Sequence, residues 1–114
     1  MSRRRPKQYL KTARLAACLS QAELGALLGV SATVISNIEL DRSQPTAALV
    51  LGAVLLFGKP SERLFPYLFN SVQEALGQSA AALDDQLQGR TDAKSLAKIA
   101  LISAMAKRSI TFNV

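Results

Sequence analysis

Apolar positions recur at helical spacing along most of the chain, and the polar residues between them mark where helices start and stop. Leu10, Ala13, Arg14 and Ala17 share one face and predict a first helix that begins near Pro6 or Lys7. Ser20 and Glu23 form the S-x-x-E pattern of a capping box, which opens a second helix striped by Leu24, Leu27 and Leu28. Gly29 ends it, because glycine takes the left-handed backbone without a Cβ clash. Val30 fills the turn. Ser31 caps a third helix, Ala32 to about Glu39, with Val34, Ile35 and Ile38 inward. Residues 41–45 read as a loop, Thr46 caps a fourth helix from Ala47 to Phe57, and Ser61 caps a short fifth one carrying Leu64 and Phe65.

Beyond Pro66 the stripe widens to Leu68, Val72, Leu76, Leu83 and Leu87, with Gly77 as a break and Gly89 as an interruption. A last helix is expected from residue 92 to about 108, its face made by Leu96, Ile99, Ile102 and Met105 or Leu101. The closing ITFNV is β-prone and too short to assign. Ala and Leu dominate, aromatics are few and Trp is absent, which favours helix over strand. The pattern is all-α: five short helices followed by about two C-terminal ones. It divides into a basic arm at 1–6, a domain at 7–66 and a helical extension at 67–114.

Charge adds a partner class. The net charge is +6, and residues 1–63 hold nine Lys/Arg against four acids while 64–114 hold five against four. A basic excess in one half favours a polyanion, either nucleic acid or an anionic membrane surface. Three arginines and a lysine without adjacent aromatics or a lipidation motif make only a weak case for the membrane. No apolar run has the length of a membrane span, and no apolar segment follows the N-terminal charges as in a signal peptide. One cysteine, Cys18, forms no intrachain disulfide, so a reducing cytoplasmic setting is expected. There is no His, no carboxylate pair beside a nucleophile, no phosphate-cradling glycine loop and no metal-ligand spacing. Neither an enzyme nor a cofactor is expected.

Two short helices joined by a tight glycine turn let the second enter the DNA major groove while the first crosses the backbone. The string LSQAEL at 19–24, LGVS at 28–31, VISNIE at 34–39, with Arg14 before it and Pro45 and FGKPSERLF at 57–65 after it, resembles the lambda-repressor-like (Cro/CI, XRE) family. YLKTAR and LFGKPSERLFPYLF resemble a bacterial subgroup with a C-terminal helical extension. One departure stands out: the family has Gly two residues after its Ile-Glu pair, where this chain has Asp41. Asp tolerates the left-handed conformation better than most residues, so the turn should survive.

The resemblance implies roles. Ala32, Thr33, Ser36 and Asn37 match base-reading positions; Asn can bond adenine bidentately, and a Thr methyl can meet that of thymine. Gln21 matches a phosphate-clamping glutamine, and Ser31, Arg42 and Ser43 fall where phosphate is contacted. Arg3, Arg4, Arg5 and Lys7 read either as an arm on DNA or as a solubilising tail. Arg14 and Glu39 match a structural ion pair. The reading helix has no Arg to grip guanine, which leaves an A·T-leaning site or reliance on the arm, dimer spacing and DNA shape. Residues 46–57 are apolar almost all round, a surplus that needs cover. A homodimer through the C-terminal helices and an intrachain hairpin both stay open. Two functions follow: a double-stranded-DNA-binding regulator, chiefly a repressor on a palindromic operator, or an antitoxin or partner-binding regulator whose C-terminal helices engage another protein.

Overall fold

The structure is a computed structural model that describes residues 8–112, the side chains of 109–112 excepted. Seven helices and no strand are found among them: α1 Leu10–Ala16, α2 Gln21–Leu28, α3 Ala32–Glu39, α4 Ala47–Phe57, α5 Ser61–Leu64, α6 Pro66–Leu87 and α7 Ala93–Phe112. They fall into two compact units, one ending at Asn70 and one beginning at Ser71, so the boundary lies inside α6.

In the first unit one core holds α1 to α5 together. Leu10, Ala13, Leu24, Ile35, Ile38, Leu49, Ala53, Leu64 and Phe65 are buried, and Leu68 in the first turn of α6 packs against them. Three helix starts are capped as the sequence implies. Ser20 accepts from the Glu23 amide while Glu23 accepts from that of Ser20, at 3.0 and 2.9 Å. Ser31 and Thr46 each accept at 3.2 Å, from Val34 and Leu49.

The first three helices end in one way. Leu19, Val30 and Arg42 each donate an amide to the carbonyl five residues back, on Arg14, Gly25 and Asn37, at 3.1, 2.9 and 2.8 Å. The residue before each donor is left-handed: Cys18 at φ 60°, Gly29 at φ 75° and Asp41 at φ 59°. This is the Schellman closure. Asp41 supports it in the place where the related family has glycine, so the turn is intact.

Several expectations are corrected. α1 begins at Leu10 rather than near Pro6 or Lys7, because the preceding backbone is drawn elsewhere. The Tyr9 amide donates to the Leu64 carbonyl at 2.7 Å, and the Gln8 side chain accepts from the Leu10 amide at 2.7 Å. Ala17 lies past the helix end and is exposed. Leu27 and Val34 are exposed, not inward. The core lies against the Leu24–Leu28 and Ile35–Ile38 edges, pairs four and three residues apart, and the neighbouring positions turn away. Ser61 is the first residue of α5, not its cap; Pro60 holds the cap position, with no side-chain bond. Gly77 does not break α6. One mid-helix glycine costs only about 1 kcal/mol, less than a continuous 22-residue ladder absorbs. The helical ladder also carries Ile110, Thr111 and Phe112 into α7, so the described part of the closing segment is helical.

In the second unit Leu87 and Ser95 are buried around the α6–α7 connection. Gly89 turns the chain at φ 82°, and Asp92 caps α7 by accepting from the Ser95 amide at 3.1 Å. Most apolar residues of both helices remain exposed, among them Val72, Leu76, Leu83, Leu96 and Leu101.

Candidate nucleic-acid interface

The turn between α2 and α3 lies close against α2 because Gly25 lacks a side chain. A Cβ there would lie 2.5 Å from the Val30 carbonyl oxygen and 3.2 Å from the Ser31 carbonyl carbon. The turn passes directly over that face of α2, and any larger residue would lift α3 away. Sequence reading missed Gly25. The available signal was a glycine inside an otherwise helical run, which costs about 1 kcal/mol and so implies a packing reason.

A buried polar cluster fixes the far end of α3. Arg14 Nε donates to Glu39 Oε2 at 2.7 Å and its second terminal nitrogen donates to Oε1 at 3.1 Å, a bidentate pair. Arg14 Nη1 also donates to the Leu19 carbonyl at 2.9 Å. Gln21 Nε2 donates to Glu39 Oε1 at 3.1 Å. Glu39 thus joins α1, the start of α2 and the last turn of α3. Its burial pushes the carboxyl up, but hydrogen bonds from Arg14 and Gln21, with the charges of Arg14 and Lys11, outweigh this and hold it below the usual carboxylate range. The bond to Glu39 raises the Arg14 guanidinium, against the opposing effect of its burial.

Gln8 completes the frame and was also missed, since a lone glutamine before a helix gives no pattern. Its Nε2 donates to the Ile38 and Glu39 carbonyls at 3.2 and 3.0 Å, occupying acceptors that the end of α3 leaves open.

On this frame the residues expected to read bases share one helix. Thr33 is exposed, and Ala32, Ser36 and Asn37 are half-buried on the same helix. Arg42 and Ser43 follow at its end; both amides donate to the Asn37 carbonyl, at 2.8 and 3.3 Å, and both residues are exposed. The Ser31 hydroxyl oxygen caps α3 by accepting from the Val34 amide. Gln21 stands at the start of α2 with its amide held by Glu39. Arg3, Arg4, Arg5 and Lys7 lie outside the described residues. No described helix is long and apolar enough to cross a membrane.

A helix-turn-helix family model matches residues 10–64. No curated protein and no solved structure matches the chain. The matched span is the stretch from the first residue of α1 to the end of α5, with the capped pair α2–α3 at its centre. Residues 10–64 are a helix-turn-helix domain of the lambda-repressor-like kind, the DNA-binding fold of that family of transcription regulators.

Proposed function

We propose that the chain is a sequence-specific repressor that binds a palindromic operator as a homodimer. The observation that carries the DNA-reading part is the rigid presentation of α3. Its start is capped by Ser31, its turn is closed over Gly25, and its end is tied by Glu39 and Gln8. Thr33, Ser36 and Asn37 are then the base contacts, with Ala32 offering a methyl group. An Asn amide in the groove is suited to adenine, and no reading residue is suited to guanine. The Gln21 amide nitrogen has two hydrogens. Glu39 takes one and aims the side chain, which leaves the other for a phosphate oxygen. Ser31, Arg42 and Ser43 contact phosphate beside it, and Arg3, Arg4, Arg5 and Lys7 extend that contact.

The dimer reading rests on apolar surface. Leu51 and Leu55 on α4 are 64% and 85% exposed, and the second unit exposes leucines on both its helices. A twofold mate that covers them sets two reading helices about 34 Å apart, one helical turn of DNA. Light scattering of the full chain at tens of micromolar tests this. A mass of twice 12.2 kDa is expected, and a monomer at that concentration overturns the homodimer. Stoichiometric co-purification of a second protein on the C-terminal helices would replace it with the partner-binding reading.

A further inference from the structure

Between the end of α3, the 41–45 loop and the start of α6 lies a pocket of about 310 Å³. That volume falls at the small end of ligand-binding cavities. One wall is apolar: Pro45, Leu68 and the Tyr67 ring, over the edges of the core residues Ile38 and Phe65. The lining also has a polar part, which carries Asp41 and Arg42, neighbours in sequence. Both are exposed, and among the described residues neither forms an ion pair, although they bear opposite charges. The backbone there is well fixed: Asp41 is held left-handed by the Schellman closure, and the Arg42 and Ser43 amides are bonded to Asn37. One pocket therefore offers an unpaired cation, an unpaired anion and an apolar wall on a set backbone.

We propose that this pocket binds a small zwitterion with an apolar tail, of the chemical class of the free branched-chain and aromatic amino acids. The ligand carboxylate meets the Arg42 guanidinium, which suits a planar two-oxygen acceptor. Its ammonium meets the Asp41 carboxylate. Its side chain lies against Pro45, Tyr67 and Leu68. A simple carboxylate would leave Asp41 unanswered and a simple amine would leave Arg42 so; the adjacent pair fits both charges of one small molecule. Arg42 is also a phosphate contact in the reading above, so ligand and DNA would compete for one side chain. That consequence rests on the reading above, but the pocket itself does not.

The test uses no DNA, so its failure leaves the DNA reading untouched. The full chain is titrated calorimetrically with leucine, phenylalanine, glycine and N-acetyl-leucine, for the native protein and for Arg42→Gln and Asp41→Asn. Neither substitution threatens the fold: both sites are exposed, and Asn accepts the left-handed backbone. Leucine or phenylalanine is expected to bind, glycine and N-acetyl-leucine to bind at least about tenfold more weakly, and each variant to lose about tenfold or more. No binding of either apolar amino acid up to about 10 mM overturns the proposal. So does equal binding of N-acetyl-leucine, or binding that both variants retain in full.

Discussion

Arg14 on α1 donates two hydrogen bonds to Glu39 on the last turn of α3, with the shorter at 2.7 Å and the two side chains only 9% and 2% exposed. Removing one partner strands a buried charge, at a cost of about 3–5 kcal/mol. Glu39→Ala also releases Gln21, while Arg14→Ala also strands the Leu19 carbonyl. Urea unfolding should show both single variants strongly destabilised. The double variant Arg14→Met with Glu39→Met should lose less than the sum of its two single changes. Strictly additive losses would mean that the pair is not coupled.

Acid should remove part of this stability. The Glu39 carboxyl titrates below its usual range when folded, so the unfolded chain takes up that proton first as pH falls. Its contribution is complete above the unfolded value of about 4.3 and disappears as pH drops through the folded value. The stability difference between the native protein and Glu39→Gln should therefore be constant near neutrality and shrink below about pH 4. Glu23 and Asp92 are also held low but are common to both proteins and cancel. A difference that stays flat into acid would contradict the assignment.

Gly25→Ala should be far more damaging than Gly52→Ala. The first places a methyl group 2.5 Å from a backbone oxygen in the α2–α3 turn, whereas the second meets only the tip of Leu28 at 2.9 Å. Overpacking against backbone costs about 1–3 kcal/mol, while a flexible side chain can rotate aside. Thermal unfolding of the two variants should separate them in that order.

Cys18 holds a left-handed backbone at φ 60° on the surface after α1. Such a residue carries about 1–2 kcal/mol of steric cost, part of which glycine returns as lost chain entropy. Cys18→Gly should raise stability by about 0.5–1 kcal/mol, read from the shift in denaturation midpoint. Destabilisation would show that the thiol makes a contact worth more than the strain.

The fold was legible where local chemistry decides it. The Ser20–Glu23 box, the Ser31 and Thr46 caps and the Gly29 turn act within three or four residues of themselves, and each sits where the sequence put it. What was not legible depends on partners distant in sequence. Gln8 works by reaching carbonyls 30 and 31 residues away, and Gly25 by what crosses above it. Leu27 and Val34 have the right spacing to be inward, and only the mutual packing of α2 and α3 decides that they are not. The pocket beside Asp41 and Arg42 needs the start of α6 brought against the loop, a proximity that no periodicity encodes.

The central claim is that α3 reads DNA sequence. Repeated selection of bound duplexes from a random pool, with the native chain and with Asn37→Ala in parallel, tests it most directly. The native protein should enrich a palindrome with A·T-rich half-sites centred about 10 base pairs apart, and Asn37→Ala should lose about 1–3 kcal/mol of discrimination at one position of each half-site. A pool that stays unenriched, or one enriched identically by Asn37→Ala, Thr33→Ala and Ser36→Ala, would contradict base reading by this helix.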